Sequence, residues 1–184
     1  MRYWKTVDAG EYLIYRKKFF EYFVNNPNNF FRTEHSYWNG LRPEKFGEVF
    51  TLIPEMCDGI IKFGTINDIA LLIVQSADEV YFSGGVRNRL QIPIMNTEGS
   101  RTAFFKLNEE QYKNYILIGD GVRRWPQHYK DIIQPIDWFE LNQPTIVRTK
   151  EPHTQYFDSS LFPRITITIS FRDGVEKYLD EENT

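Results

Sequence analysis

A histidine and an arginine eleven positions apart are the residues whose types and spacing could do chemistry in this sequence. They are His153 and Arg164, in the segment PHTQYFDSSLFPRITITISF, residues 152–171. An imidazole can ligate a metal ion or transfer protons near neutral pH, and a guanidinium can hold a carboxylate through two parallel hydrogen bonds. The segment therefore fits either a metal site with an anchor for an acidic co-substrate or a loop that leads into the last strand of a β-sandwich.

The strand that Arg164 opens alternates strictly between polar and apolar residues. RITITISF, residues 164–171, places its even-numbered residues on one face of an extended strand and its odd-numbered residues on the other. The apolar face would pack on the helices, and the polar face, which carries Arg164 and Thr166, would line a wet pocket. The alternative is an edge strand whose polar face lies in solvent.

Helices are predicted in the first third of the chain. The segment GEYLIYRKKFFEYFVNN, residues 10–26, has helical spacing. Its core face is predicted to comprise Leu13, Phe20, Val24 and the neighbouring tyrosines and phenylalanines. Two shorter helices are predicted to follow, over about 43–50 and 54–63.

Short strands are predicted after Asp68. The apolar run IALLIVQSA has the length of a buried strand, and five strand-like segments follow it, separated by turn signals. GDGVRRW, residues 119–125, is predicted to be a turn, because it lacks the lysine and the strand-to-helix context of a phosphate-binding loop. Helices followed by short strands predict a single, mainly β domain, a sandwich or barrel braced by N-terminal helices. The five later segments are NRLQIPIMN, RTAFFKL, DWFELN, PTIVRT and RITITISFR.

Composition argues against several classes of protein. A net charge of −3 over 184 residues gives no basic signature for nucleic-acid binding. Cys57 is the only cysteine, so neither an intramolecular disulfide nor a cysteine-rich zinc site is expected. The sequence has no apolar run long enough for a membrane span and no signal-peptide core, so we expect a cytoplasmic protein. The acidic end EKYLDEENT is expected to fray.

Two segments carry a resemblance to a known family. RLQIPIMNTEGSRTAFFKL, residues 89–107, and FELNQPTIVRTKEPHTQYFDSSLFPRITITISF, residues 139–171, are similar to strands of the double-stranded β-helix, a cupin-like jelly roll, of the 2-oxoglutarate and Fe(II) dependent oxygenases. The likeness spans about residues 53–171 and is closest to the aspartyl/asparaginyl β-hydroxylase branch, with similar relatives in bacteriophage and marine microbial genomes. It implies helical support over 1–66, a jelly-roll core over 67–172 and an acidic tail over 173–184.

The resemblance implies a site as well as a fold. Fe(II) in this family is held by two histidines and a carboxylate, and His153 falls where the distal histidine would be. Arg164 falls where an arginine binds the far carboxylate of 2-oxoglutarate, with the hydroxyl of Thr166 as its partner. In the first ligand motif, His-x-Asp or His-x-Gly, Phe82 and Gly84 occupy the ligand positions. The resemblance therefore implies an iron site that has been lost.

The resemblance leads to three alternative predictions of function. The leading prediction is a non-catalytic jelly roll that binds ligands or assembles with other protein subunits, in the cytoplasm or as a structural component of a phage virion. The second is an active 2-oxoglutarate- and Fe(II)-dependent hydroxylase that uses His153 and Arg164, and the third is a metal-free sensor that holds a small dicarboxylate at Arg164. A hydroxylase would have to recruit its other ligands from His35 or His128 and from Asp78, Glu79 or Asp158.

Overall fold

The computed structural model describes residues 1–32, 37–119, 121–158 and 160–180. Within these ranges the chain forms thirteen strands in two antiparallel sheets and six α-helices. This confirms the prediction of a mainly β, sandwich-like fold with N-terminal helices. Among the helices of these ranges, none combines the length and the hydropathy needed to span a bilayer.

The elements are named in chain order. The strands are β1 (Trp4–Thr6), β2 (Phe30–Arg32), β3 (Trp38–Leu41), β4 (Ile66–Val74), β5 (Ser83–Gly84), β6 (Arg89–Met95), β7 (Arg101–Phe104), β8 (Ile116–Ile118), β9 (Val122–Arg124), β10 (Asp137–Glu140), β11 (Thr145–Val147), β12 (His153–Tyr156) and β13 (Arg164–Phe171). The helices are α1 (Tyr12–Asn25), α2 (Phe46–Leu52), α3 (Pro54–Ile60), α4 (Glu109–Lys113), α5 (Tyr129–Ile132) and α6 (Lys177–Asp180).

The chain passes repeatedly between the two sheets. The larger sheet has the order β1-β11-β6-β13-β4-β3-β2, and the smaller has the order β10-β7-β12-β5-β9-β8. From β4 onward, β4, β6, β11 and β13 enter the larger sheet, while β5, β7, β10 and β12 enter the smaller one. Residues 1–66 add β1 to one end of the larger sheet and β2 with β3 to the other, so this part of the chain contributes strands as well as helices.

Strand β13 lies at the centre of the larger sheet. It pairs antiparallel with β4 on one side and β6 on the other, and its whole length, Arg164–Phe171, is buried. Its three isoleucines and Phe171 join the main hydrophobic core, to which helices α1, α2 and α3 also contribute. The two faces are therefore sorted as the alternation predicts, and the edge-strand alternative is wrong.

Helix α1 packs on the core through aromatic rings. Tyr15, Phe19 and Tyr22 are its buried residues, and the Tyr15 hydroxyl donates to a backbone carbonyl at 2.9 Å, which satisfies its polar tip. Leu13 and Val24 are each 59% exposed, so the prediction that they face the core is wrong. Large rings bury more apolar area than aliphatic side chains, and the helix has docked through its aromatic face.

A second hydrophobic cluster belongs to the smaller sheet and its connections. The Phe82 ring lies 4.9 Å from the Phe105 ring and 5.8 Å from the Trp125 ring, measured between centroids. Tyr129 of α5 completes the cluster, and the Trp125 indole N–H donates to the Tyr112 carbonyl at 3.0 Å. This cluster fixes the side to which Phe82, the residue before β5, is turned.

The connection between β8 and β9, which pair antiparallel, lies in the glycine-rich segment GDGVRRW, of which Asp120 is outside the described residues. Gly119 and Gly121 have φ angles of 46° and 83°, in the left-handed region that glycine adopts without a steric penalty. The predicted turn is therefore confirmed, although its last residues belong to β9.

The C-terminal segment is more ordered than predicted. Residues 177–180 form helix α6, and Leu179 is buried in the main core. The expectation that the acidic end frays is wrong for this stretch, because the side chains of Leu179 and Tyr178 pack on the core. Residues 181–184 lie outside the described ranges.

Candidate functional site

A cavity of about 140 Å³ lies between the two sheets. Strands β4, β6 and β13 supply residues from the larger sheet, and β12 and the segment around β5 supply residues from the smaller one. The walls mix aliphatic, aromatic and polar side chains. The polar and aromatic part of the lining includes Trp38, Tyr81, Arg89, Gln91, His153 and Thr168.

His153 faces this cavity from strand β12, with Ser83 of β5 directly across the ladder. Its ring Nδ1 lies 2.8 Å from the carbonyl oxygen of Glu151, so Nδ1 carries the proton and donates, and Nε2 is left as an acceptor. Burial lowers the pKa of His153 and the charge of Arg89 lowers it further, while the hydrogen bond to Glu151 acts in the opposite direction. The imidazole is therefore a neutral hydrogen-bond acceptor at neutral pH.

Acidification is expected to destabilise the protein through His153. The pKa in the folded state lies below the ordinary value of 6.5, so below that pH the unfolded chain binds the proton first and the free energy of unfolding falls as the pH drops. His153→Asn, whose amide can still donate to the Glu151 carbonyl, should lose less stability between about pH 7.5 and about pH 5. Urea unfolding at the two pH values measures this, and equal losses in the two proteins would contradict it.

The positive charge that reaches the cavity is balanced within the protein. Arg89 Nη1 lies 3.0 Å from Asp68 Oδ1, and the guanidinium lies over the Trp38 ring at 4.5 Å. Asp68 also accepts hydrogen bonds from the Ser170 hydroxyl and the Asn67 amide. Burial opposes the ionisation of Asp68, but Arg89 and these hydrogen bonds outweigh it and lower its pKa. Arg89 therefore enters the cavity wall as half of an ion pair without net charge.

Two buried polar atoms of the cavity wall have no hydrogen-bond partner among the described residues. They are Gln91 Oε1 and Thr168 Oγ1, on residues that lie directly opposite each other on β6 and β13. Gln91 is 5% exposed and Thr168 is fully buried. Because buried polar groups are almost always hydrogen-bonded, these two atoms mark a place where a bound molecule would supply the missing partner.

Arg164 and Thr166 are on the same face of β13 as Thr168 but do not line the cavity. Arg164 is 1% exposed and its Nε donates to Ser100 Oγ at 3.0 Å. Burial lowers the pKa of its guanidinium to about 10, and no ion pair joins it to a carboxylate within the described ranges. The pair that the resemblance assigns to 2-oxoglutarate is thus enclosed by protein and does not open into the cavity.

Replacing Thr166 with valine is expected to raise the free energy of unfolding by about 1–2 kcal/mol. Its hydroxyl is fully buried and has no partner among the described residues, and valine keeps the shape while removing the unsatisfied group. Thr168→Val should give a similar increase, because the Thr168 hydroxyl is equally buried and also has no partner among the described residues. Urea unfolding measures both changes, and a loss of stability in Thr166→Val would mean that its hydroxyl has a partner.

Phe82 and Gly84 face away from the cavity. Phe82 is buried in the second cluster, and a Cβ atom built on Gly84 would meet the Trp125 ring at 3.0 Å. Tyr81 and Ser83, the residues that flank Phe82, both line the cavity. Phe82 and Gly84, which the resemblance places in the first ligand motif, therefore lie on the face of this segment that turns away from the cavity, because side chains alternate along a strand.

The residues around His153 do not fit an iron site. Among the described residues, the cavity lining includes no Asp, Glu or Cys and no second His, and no group of three or more such residues could hold a metal ion. His128 precedes helix α5 and contacts Tyr129 of the second cluster edge-to-face, with the ring centroids 4.9 Å apart. The proposed carboxylates Asp78, Glu79 and Asp158 also lie outside the lining, and His35 lies outside the described residues.

Comparison with known proteins adds no assignment. No family model matches the chain, and no curated protein is significantly similar to it.

Sequence reasoning missed Arg89, Gln91 and Asp68 as residues of the site. A signal for two of them was present, because RLQIPIM begins with polar Arg89 and Gln91 separated by apolar Leu90, the same alternation with which RITITISF begins. The antiparallel pairing of β6 with β13 places both polar faces in the same inter-sheet space. The Asp68–Arg89 pair has no local signal, since its two residues are brought together only by the sheet.

Proposed function

We propose that this chain is a non-catalytic binding protein whose ligand site is the cavity between the sheets. The proposal is carried by the two buried, unpartnered atoms Gln91 Oε1 and Thr168 Oγ1 in the wall of that cavity. A concave site with a few convergent polar groups and mixed apolar walls is the usual form of a small-molecule site. Iron-dependent oxidation is less favoured, because the residues beside His153 in the lining include Ser83 and Tyr81 and no carboxylate or second histidine among the described residues.

We also propose that the two sheets are those of a double-stranded β-helix, the jelly roll of the 2-oxoglutarate and Fe(II) dependent oxygenases. The division of β4, β6, β11 and β13 from β5, β7, β10 and β12 supports this proposal, because a jelly roll distributes its eight strands over two sheets. The location of His153 on β12 and of Arg164 at the start of β13 supports the same family. In this proposal the iron chemistry has been lost, and the space between the sheets serves as a binding site.

Metal analysis tests the non-catalytic part of the proposal. Protein purified anaerobically with Fe(II) should retain well below one equivalent of iron, and 2-oxoglutarate should not change its melting temperature. Stoichiometric iron that His153→Ala removes would overturn the proposal in favour of an active hydroxylase. A stabilisation by 2-oxoglutarate that Arg164→Ala removes would instead support the dicarboxylate sensor.

The indole of Trp38 tests the binding part of the proposal. Trp38 lines the cavity, and its N–H resonance can be assigned by comparison with Trp38→Phe. Titration with small ring-sized molecules, both neutral and charged, should shift this resonance. If none of these molecules shifts the Trp38 indole resonance, the proposed binding function is wrong.

Assembly with other protein subunits, in the cytoplasm or in a phage virion, is a second candidate function. It is favoured by exposed apolar side chains on the two outermost strands of the smaller sheet: Ile116 and Leu117 on β8 are 63% and 66% exposed, and Trp138 on β10 is 49% exposed. Apolar side chains at exposed strand edges promote association. Sedimentation velocity should then detect self-association, and a protein that stays monomeric at every concentration would count against it.

A further inference from the structure

We infer that the cavity is built for a neutral, ring-sized molecule that donates at least one hydrogen bond. This inference rests on the proposed binding function and extends it by giving the charge, the size and the hydrogen-bonding sense of the ligand. It also departs from the small dicarboxylate that the family resemblance implies.

The hydrogen-bonding sense follows from three groups in the cavity wall. Gln91 Oε1 is an acceptor without a donor, and the Thr168 hydroxyl opposite it is also unpartnered among the described residues. His153 adds a third acceptor at Nε2, because its Nδ1–H is already engaged by the Glu151 carbonyl. A ligand hydroxyl or N–H group would satisfy atoms that are otherwise buried at a free-energy cost.

The expected charge of the ligand follows from the ionisable groups in the cavity wall. Arg89 is the cationic side chain in the described lining, and it is paired with Asp68 at 3.0 Å. No carboxylate of the described lining is available to hold a cationic ligand. An anion would meet a guanidinium whose charge Asp68 already balances, and a charge buried without a partner of its own is strongly disfavoured. The cavity therefore selects against both signs of charge.

The size and the apolar character follow from the volume and the remaining walls. A cavity of about 140 Å³ is close to the volume of about 150 Å³ that accommodates benzene in an engineered protein core. The rest of the lining can pack on a planar apolar body while its hydroxyl or N–H group faces Gln91 and Thr168. These apolar and aromatic residues are Leu72, Val74, Val80, Val122, Tyr37 and Tyr81.

Four probes of similar size separate the ligand classes: phenol, toluene, benzoate and benzylamine, with 2-oxoglutarate as a fifth. Each is titrated into the wild-type protein at about pH 7, and the Trp38 indole and Gln91 side-chain amide resonances are followed. We expect phenol to bind about 3- to 10-fold more tightly than toluene, which has the same shape without a donor; this ratio corresponds to one neutral hydrogen bond. The three charged probes should bind more weakly than phenol.

Three variants locate the hydrogen bond. Thr168→Val and Gln91→Leu should each remove most of the advantage of phenol over toluene. Thr166→Val is the matched control, because it makes the same exchange on the same strand and face, two residues away and outside the cavity lining. Its phenol affinity should equal that of the wild type. Melting curves confirm that each variant is folded before the titration.

The outcomes separate this inference from the function on which it rests. Benzoate or 2-oxoglutarate binding as tightly as phenol would overturn the inference while leaving a binding site in the cavity. The inference is also overturned if toluene binds as tightly as phenol, or if Thr168→Val and Gln91→Leu bind phenol with the affinity of the wild type. If no probe shifts either resonance, the binding function fails together with the inference.

Discussion

Replacing Phe82 with alanine is expected to lower the free energy of unfolding by about 3–5 kcal/mol, measured by urea denaturation. The ring is fully buried, and its centroid lies 4.9 Å, 5.8 Å and 6.5 Å from those of Phe105, Trp125 and Tyr129. Truncation leaves a void between these three rings, which belong to a strand end, a loop and a helix that cannot all close in. A loss below about 1 kcal/mol would contradict this packing.

A pair of histidine substitutions tests the register of β5 independently of stability. Phe82→His should destabilise the protein without increasing its affinity for Ni²⁺, because the new imidazole enters an apolar cluster on the face opposite His153. Ser83→His, one residue along the strand, should increase the Ni²⁺ affinity, because residues directly opposite in an antiparallel pair have adjacent side chains. Metal binding that improves in Phe82→His and not in Ser83→His would restore the assignment made from the family spacing.

Replacing Ile167 with alanine is expected to cost about 2–5 kcal/mol of unfolding free energy, and Ile167→Val about 0.5–1.5 kcal/mol. Ile167 is fully buried at the centre of β13, between Leu71 of β4 and Ile92 of β6. It belongs to the main core that joins the larger sheet to the helices. The valine variant is the matched control, since it keeps the β-branched shape and removes one methyl group.

Substitutions on the two faces of β13 should have different effects, one on the stability of the protein and the other on ligand affinity. Ile167 points into the helical core, whereas Thr168 lines the cavity. Ile167→Val should therefore destabilise the protein and leave the phenol affinity unchanged. A binding defect in this variant as large as that of Thr168→Val would show that the two faces are not independent.

Local patterns predicted six of the thirteen strands and three of the six helices that the described residues form. The apolar run after Asp68, the alternation in RITITISF and the helical spacing of residues 10–26 each correspond to an element at nearly the predicted position. These patterns are local, because the periods of 2 and 3.6 residues arise from the geometry of the element itself. Leu13 and Val24 were misassigned because helical spacing defines stripes on a helix without deciding which one docks.

The candidate site was only partly predictable. The sequence identified His153 as a residue of interest, and the structure places it in the wall of the cavity. Arg164 and Thr166 were placed on the correct face of their strand, but their enclosure beside Ser100 depends on contacts between distant segments. Whether a polar face is open or closed depends on what the opposite sheet packs against it, and no local pattern contains that information.

The sequence by itself determined that this chain is mainly β with N-terminal helices, and that one strand has a polar and an apolar face. Only the tertiary structure decided that Ser83 rather than Phe82 stands opposite His153, that Asp68 neutralises Arg89, and that Gln91 and Thr168 meet without partners in one cavity. The physical reason is register. A slip of one residue exchanges the two faces of a strand, and register is set by pairing between segments that lie far apart in the chain.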